Sequence, residues 1–370
     1  MKLIQEDLFS RPKWIVPDTE GIKYAGSKLK LIPHILDMIS DLNIRTVLDG
    51  FSGTTRVSQA FAKLGFNVIA NDIADWSEVF GKCYLLNRYP RERYKSLIEH
   101  LNSLKGYDGW FTEHYGGEPG KDTKKPFQRK NTRKCDAIRD EIDRLNLNEI
   151  ERAVALTSLI LALDAVDNTL GHYASYLSDW SERSYQDLCL KVPMLFISEG
   201  QNEVLKRDIF EVVSNCEVDL AYFDPPYGSN NDKMPPSRVR YASYYHIWTS
   251  VIKNDKPKVF GKVNRREDTR DDVAASVFEE FRRDKSGKFI AIQAIKKLVE
   301  ETQAKYILLS YSSGGRATKQ ELFEILTSSG KLLKAMEIGY KPHVMSGMRW
   351  TNEWGNTTDK HCEYLFLLEK

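Results

Sequence analysis

The stretch Val218-Asp219-Leu220-Ala221-Tyr222-Phe223-Asp224-Pro225-Pro226-Tyr227 constrains this chain more than any other. A short, nearly continuous apolar run is what a strand buried in a parallel sheet looks like. Two consecutive prolines cannot continue a sheet ladder, so the strand stops at Asp224. They also stiffen the backbone and remove two donors, which leaves carbonyl oxygens pointing outward. An acid, a row of carbonyls and a flat ring at the carboxyl end of a strand make a seat for a planar amine. The carboxylate and a proline carbonyl accept its two hydrogens, and the ring stacks on its face. Alone, the tetrapeptide is also compatible with a plain strand and proline turn, so its meaning depends on context.

Upstream lies a βαβ unit. Arg45 to Asp49 reads as a short strand running into the small-residue loop Gly50-Phe51-Ser52-Gly53-Thr54-Thr55. Val57, Ala60, Phe61 and Leu64 give a helix that ends at Gly65, and Asn67 to Asp72 is a second strand closed by an acid. A glycine loop after the first strand, with a carboxylate about twenty residues on, is the plan of a nucleotide-type site. Gly53 lets a ligand approach the backbone, and Asp72 accepts hydrogen bonds from ribose hydroxyls. The loop is not a GxGxxG, and Asp49 would repel a pyrophosphate. A ligand carrying a positive group is expected instead. S-adenosylmethionine, with an ammonium, a sulfonium and a ribose, fits. Ahead of this unit the turn Lys23-Tyr24-Ala25-Gly26-Ser27-Lys28 precedes Leu29, Leu31, Ile32, Ile35, Leu36 and Ile39 at helical spacing. Gly26 permits a tight turn, Ser27 is placed to cap the helix, and Tyr24 and Lys28 face the ligand as a lid. An ordinary capped helix explains the turn equally well when it is taken alone.

The formal net charge is only +2, so a basic surface has to come from segregation of charge. One run supplies it: Lys121, Lys124, Lys125, Arg129, Lys130, Arg133 and Lys134 stand against Asp122 in a glycine- and proline-broken segment from Gly106 to Lys134. It reads either as a phosphate-contacting arm or as a solvated loop. Residues 76–105 read as helical, as do Asp136 to Leu145 and Glu149 to Leu163. Met194 to Ile197 reads as a strand. Asp208-Ile209-Phe210 opens a short helix, and Asp208 is either its N-cap or the acceptor for a cofactor's adenine amine. Tyr241 to Trp248 is an aromatic-rich helix whose Tyr245 suits a wall for a planar base. A helix is expected near 275–283, a strand at Lys305 to Tyr311, and an antiparallel edge pair near 331–338 and 363–369. Strand–helix alternation on this scale predicts an open α/β sheet, mostly parallel, carrying a helical insertion. Residues 1–75 and 196–370 form the catalytic domain and 76–195 the insertion. Five scattered cysteines without a CxxC pair imply reduced thiols and no metal site. No stretch resembles a membrane span or signal peptide, which points to the cytoplasm.

Four motifs occur here in one order: Tyr24-x-Gly26-Ser27-Lys28, Asp49-x-Phe51-x-Gly53, Asn71-Asp72 and Asp224-Pro225-Pro226-Tyr227. Together they resemble the amino-directed DNA adenine methyltransferases of the Dam-like class. Asp167-Asn168-Thr169-Leu170-Gly171-His172-Tyr173, Tyr244-Tyr245-His246 and Leu309-Ser310-Tyr311-Ser312 look closer still to modification enzymes of the FokI type. The resemblance covers most of residues 21–340. It implies a Rossmann-like S-adenosylmethionine-dependent methyltransferase fold with target recognition in the insertion. It also implies a bacterial enzyme that flips adenine out of duplex DNA, methylates its N6, and is accompanied by a restriction endonuclease for the same site. By the resemblance, Tyr24, Ser27 and Lys28 belong to the first cofactor motif. Asp49, Phe51 and Gly53 form the methionine-binding loop, Asp72 is the ribose carboxylate, and Asp208 and Ile209 meet the adenine of the cofactor. Asp224, Pro225, Pro226 and Tyr227 form the catalytic tetrapeptide. Thr55 departs from the family, which often has glycine there; it either crowds the cofactor or donates to it. Methylation of a purine amine in RNA, methylation of a cytosine amine, and an inactive DNA-binding subunit remain open alternatives.

Overall fold

The computed structural model describes residues 4–7, 15–121, 125–228, 240–270, 276–280, 282–339 and 362–370. Most of the strands of one eight-stranded sheet are short apolar runs. The eight are β1 (Ile4–Asp7), β2 (Thr46–Asp49), β3 (Asn67–Asn71), β4 (Glu203–Leu205), β5 (Val218–Phe223), β6 (Ala304–Ser312), β7 (Lys331–Gly339) and β8 (Cys362–Glu369), in the spatial order β1-β7-β8-β6-β5-β2-β3-β4. All neighbours run parallel except those of β8, which is antiparallel to both β6 and β7.

Period-2 alternation assigns the two faces. Val47, Leu220, Tyr222 and Leu308 pack beneath α1 (Ile32–Ile39) and α2 (Arg56–Lys63). Leu48, Ala221, Phe223, Ile307 and Leu309 pack against α8 (Ile209–Val213), α11 (Ile290–Glu301) and α12 (Lys319–Ser329). A third core belongs to the helices α3 (Asp75–Leu85), α4 (Lys95–Ser103), α5 (Trp110–Tyr115), α6 (Arg129–Arg144) and α7 (Glu149–Val166). That core also takes Tyr245, Ile247, Trp248 and Val251, from the junction of α9 (Tyr241–Tyr244) and from α10 (His246–Lys253).

From β2 the chain steps outward to β3 and β4, then returns to place β5 on the other side of β2. This reversal opens a crevice at the carboxyl ends of β2 and β5, where α/β sheets bind ligands. In register, Asp49 sits opposite Tyr222, so Asp49 and Asp224 emerge side by side into it.

Several local expectations are corrected. Met194 to Ile197 forms no strand; Met194 and Ile197 are exposed, and the edge beside β3 is taken by Glu203–Leu205. Asn67 and Asn202 side chains seal that edge through Gln201 N and Val68 N. Ser27 caps nothing: α1 begins at Ile32, with proline in its first turn and no side-chain cap. The helix near 275–283 shrinks to one turn at Val277–Glu279. The β7–β8 pair is antiparallel as expected but is not the edge, because β1 pairs outside β7.

Candidate functional site

The crevice holds an open-sided pocket among Tyr24, Lys28, Asp49, Phe51, Gly53 and Asp224, with Ser27 on its rim. Gly53, with φ of +50°, turns its N–H onto Asp72 Oδ2 at 2.8 Å, while Ala74 N donates to Oδ1 at 3.0 Å. Burial raises the Asp72 carboxyl, and those backbone donors offset part of the rise. A Cβ on Gly53 would stand 3.3 Å from the Tyr24 ring, so only glycine leaves the loop open.

Asp49 is 1% exposed. Ser58 Oγ donates to its Oδ2 at 2.5 Å, and its Oδ1 has no partner among the described residues. Burial, together with the nearby Asp224 and Asp72 carboxylates, pushes it up to about 7. A buried carboxylate oxygen that faces a cavity and lacks a donor calls for a cationic ligand group. That requirement fits the ammonium of S-adenosylmethionine.

Thr55 lies outside the cavity lining, fully buried in the left-handed region at φ of 60°. Its hydroxyl donates to Thr54 O and accepts from Gln59 Nε2 at 3.1 Å. Glycine is favoured here because of backbone conformation, so Thr55 neither crowds a ligand nor donates to one.

Phe51 meets Phe223 and Phe278 edge-on at 6.2 and 5.2 Å, and Phe278 stacks on Phe210 at 5.8 Å. Asp208 acts as the N-cap of α8, accepting from Phe210 N at 2.9 Å. Ile209 is buried against the position where Gly50 has no side chain; a Cβ there would come within 2.9 Å of its Cδ1. Neither residue lines the cavity itself.

On the β5 side, Lys28 is 6% exposed, with Nζ 2.9 Å from Asp224 Oδ1 and 2.7 Å from Glu363 Oε1. It also donates to Tyr227 Oη at 3.1 Å. Glu363, 2% exposed on β8, accepts from Ser310 Oγ at 3.0 Å. Burial pushes the Asp224 carboxyl up to about 7; Lys28 pulls it down and Glu363 adds to the rise. Burial alone would lower the Lys28 ammonium, but Asp224 and Glu363 hold it well above its ordinary value. Pro225 is buried, Pro226 half-buried. Tyr227 is fixed from behind: its carbonyl accepts from Arg316 N at 3.0 Å and its ring meets Tyr311 edge-on at 5.3 Å. A Cβ on Gly315 would run into Tyr311 and come within 2.9 Å of Tyr227 Cβ, which explains the Ser-Ser-Gly-Gly turn.

Tyr245 is fully buried and does not present a face to a base. It stacks on Tyr24 at 4.5 Å, and its Oη accepts from Ala25 N at 2.6 Å. Tyr241 stacks on the same ring at 5.3 Å and donates to Ala25 O. The segment Asp167 to Tyr173 clamps this arrangement. Lys23 Nζ donates to Asp167 Oδ1 at 2.9 Å, Tyr245 Oη to Gly171 O at 3.3 Å, and Tyr173 N to Tyr244 O at 2.8 Å. His172 stacks on Tyr244 at 4.4 Å.

The basic run is largely helical: Arg129, Lys130, Arg133 and Lys134 sit in the opening turns of α6. Arg129 and Arg133 pair with Asp108, Lys130 with Asp187, and Lys121 with Glu118, yet all four cations remain exposed. Lys125 Nζ donates to His114 O, and Lys134 Nζ to Asn102 O and Leu104 O. Lys134 therefore satisfies the carboxyl end of α4 rather than reaching outward. Lys124 lies outside the described residues.

Sequence reasoning missed Glu363 and Phe278. The signal for Glu363 was one acid inside the apolar run Cys362 to Leu368; Phe278 sits in a charged, loop-rich stretch that gave none.

A family profile described as D12 class N6 adenine-specific DNA methyltransferase matches residues 24–325. The chain is 29% identical over 327 residues to the modification methylase StsI of Streptococcus sanguinis, covering 82% of this chain and 46% of that protein. It is 26% identical over 358 residues to the type II methyltransferase M.NlaIII of Neisseria lactamica, covering 94% and 99%. It is 24% identical over 367 residues to the type II methyltransferase M.FokI of Planomicrobium okeanokoites, covering 94% and 53%. The chain thus spans about half the length of the StsI and FokI proteins and nearly all of M.NlaIII.

Proposed function

Since the chain belongs to the D12 class of N6 adenine-specific DNA methyltransferases, we propose that it methylates the exocyclic amine of adenine in duplex DNA, with S-adenosylmethionine as donor, as the modification component of a restriction–modification system. The observation that carries this reading is the Asp224 carboxylate. It emerges beside Asp49 at the switch point, with Pro225, Pro226 and Tyr227 following it. The names of the relatives, type II methyltransferases and modification methylases, support the pairing with an endonuclease acting on the same site.

Asp49 would hold the ammonium of the donor, Gly53 its main chain, and Asp72 its ribose hydroxyls. Phe51, Asp208 and Ile209 would border its adenine, with Tyr24, Ser27 and Lys28 closing the mouth. When bound, the donor supplies an electrophilic methyl group. The residues of the chain do the rest by orientation and electrostatics. The target nitrogen is a poor nucleophile because its lone pair is delocalised into the ring. Asp224 and the Pro225 carbonyl accept both amino hydrogens, which favours a pyramidal nitrogen with its lone pair free. A duplex hides that nitrogen, so the base must be flipped out and stacked on Tyr227. The insertion, 76–195, is proposed to read the target. Lys121, Lys124, Arg129, Lys130 and Arg133 are proposed to contact phosphates, with Lys125 bordering them. No helix among the described residues is long and apolar enough to cross a membrane, and a bacterial cytoplasm suits this assignment.

The test is single-molecule sequencing of DNA from a methylation-free bacterial host that expresses the chain, beside an Asp224→Ala control. Methyl marks on adenine in one short sequence, absent from the control, are expected. In purified protein Asp224→Ala should lower turnover by about 10³-fold or more while leaving cofactor binding intact. No DNA marks from soluble protein that still binds S-adenosylmethionine would move the reading to an RNA substrate or to an inactive subunit.

A further inference from the structure

The site contains a conflict that the proposed reaction must resolve. Asp224 has to accept the hydrogens of the incoming amine, yet Lys28 Nζ already stands 2.9 Å from its Oδ1. Lys28 is 6% exposed, and an ammonium at that depth cannot leave one carboxylate unless another receives it. Glu363 is that second carboxylate. It lies 2.7 Å from Lys28 Nζ, is 2% exposed, and is held by Ser310 Oγ at 3.0 Å. Lys28 Nζ donates a hydrogen bond to Tyr227 Oη and meets Asp224 and Glu363 as ion pairs, while Asp224 Oδ1 is left without a hydrogen bond among the described residues. Resting on the function proposed above, we infer that Glu363 is a positioning residue for methyl transfer, holding Lys28 so that the ammonium releases Asp224 to the amine of the flipped base.

With both carboxyls ionised, two carboxylates and one ammonium give this row a net negative charge. That charge is useful at one moment of the reaction. As the N6 lone pair forms the new N–C bond, the C–S bond breaks with its electrons staying on sulfur. The nitrogen becomes cationic and gives one of its protons to Asp224, which returns it to solvent as product leaves. A strict one-to-one pair of Asp224 with Lys28 would be a weaker acceptor. The other charged and titratable groups facing Asp224 and Lys28 are Asp49 on β2, Tyr222 on β5, Tyr227 beyond it and Tyr241 on α9. Asp72 at the end of β3 acts through Asp49. None of these offers Lys28 a second carboxylate within ion-pair distance among the described residues; Glu363 does.

The experiment compares wild type, Glu363→Gln, Glu363→Asp and Ser310→Ala. Turnover on duplex DNA is measured across pH 5.5 to 9, and the Asp224 carboxyl is titrated by carbon NMR in the ligand-free protein. Glu363→Gln keeps an acceptor for Lys28 and Ser310 but removes the charge. Its turnover should fall roughly tenfold or more, with S-adenosylmethionine affinity changed less than about threefold. Its acid limb and the Asp224 titration should both move to lower pH, because a negative neighbour has been removed. Glu363→Asp should recover part of both effects, and Ser310→Ala should shift them in the same direction by less. An active wild type beside a Glu363→Gln enzyme with unchanged turnover and an unmoved limb overturns the inference alone. A wild type inactive on duplex DNA overturns the functional reading instead, and the ligand-free Asp224 titration then decides the role of Glu363. Should Glu363→Gln fail to fold, Ser310→Ala and Glu363→Asp decide between the outcomes on the same readouts.

Discussion

Thr55 shows how one residue can be misread when its side chain is considered without its backbone. The left-handed φ of 60° costs a β-branched residue on the order of 1–2 kcal/mol. Here two hydrogen bonds, to Thr54 O and from Gln59 Nε2, offset part of it. Thr55→Gly should therefore change stability by no more than about 1 kcal/mol in either direction, because relief of strain opposes lost bonding and added chain entropy. Affinity for S-adenosylmethionine should stay within about threefold. Denaturant unfolding and calorimetry on the same preparation check both, and a tenfold loss of affinity would place Thr55 in the ligand site after all. Candidate residues placed within a few positions of a strand end were legible from sequence. Asp49, Gly53, Asp72 and Asp224 sit where an apolar run stops, and the local chemistry names the ligand groups they suit. Glu363 was not legible, since its partners Lys28 and Ser310 come to it only when distant strands pair.

At the scale of elements, the α4–α6 junction separates bonding from charge. Lys134 belongs to a run of seven cations in the sequence, yet its ammonium binds the carbonyls that end α4. Lys134→Ala should destabilise the protein by about 1–2 kcal/mol and leave the salt dependence of DNA binding unchanged. Arg133→Ala, by contrast, should reduce the slope of log affinity against log salt by nearly one. Binding measured at several salt concentrations tells these apart. A run of charge in a sequence reports composition, and only the helix phase of α6 decides which cations face its neighbour. Met194 to Ile197 failed for a similar reason. Four apolar residues suggest a strand, but a strand needs a partner edge, and Glu203–Leu205 already holds it. The Tyr24 turn depends on an element far away in sequence. Tyr245→Phe removes the acceptor of Ala25 N and should weaken S-adenosylmethionine binding several-fold, read by calorimetry, with turnover at saturation little changed.

Across the whole molecule, buried carboxyls set the response to pH. Burial pushes Asp49, Asp164, Asp224 and Glu279 each up to about 7. Their unfolded counterparts titrate near pH 4. Between about pH 4 and 7 the folded state binds more protons than the unfolded one, so these groups contribute stability at the acid end that is lost as pH rises. The ligand-free protein should melt lower at pH 7.5 than at pH 5.5, as far as these groups decide it. A cationic ligand beside Asp49 favours its ionised form, so the gain in melting temperature from S-adenosylmethionine should be larger at pH 7 than at pH 5.5. Thermal scans at both pH values, with and without ligand, check this; an equal gain would argue against a cation at Asp49. The open, mostly parallel α/β sheet was legible because strand–helix alternation leaves few arrangements, whereas the strand order and its switch point emerge only in the structure. The antiparallel placement of β8 inside the sheet was not, because nothing local records which gap a strand fills.

That placement has a further consequence for how the molecule is made. β8 follows Lys28, Asp49, Asp72 and Asp224 in the chain, yet it sits between β6 and β7 and carries Glu363. A ribosome therefore delivers every other named part of the site while the sheet still has a slot in it. Until β8 enters, β6 and β7 present unpaired edges, which invite chaperones or a neighbouring nascent chain. Lys28 meanwhile has no carboxylate other than Asp224 to rest on among the described residues. On the function proposed above, the ion pair of Lys28 with Glu363, and with it the full set of charges around Asp224, forms only once β8 has taken its place between β6 and β7.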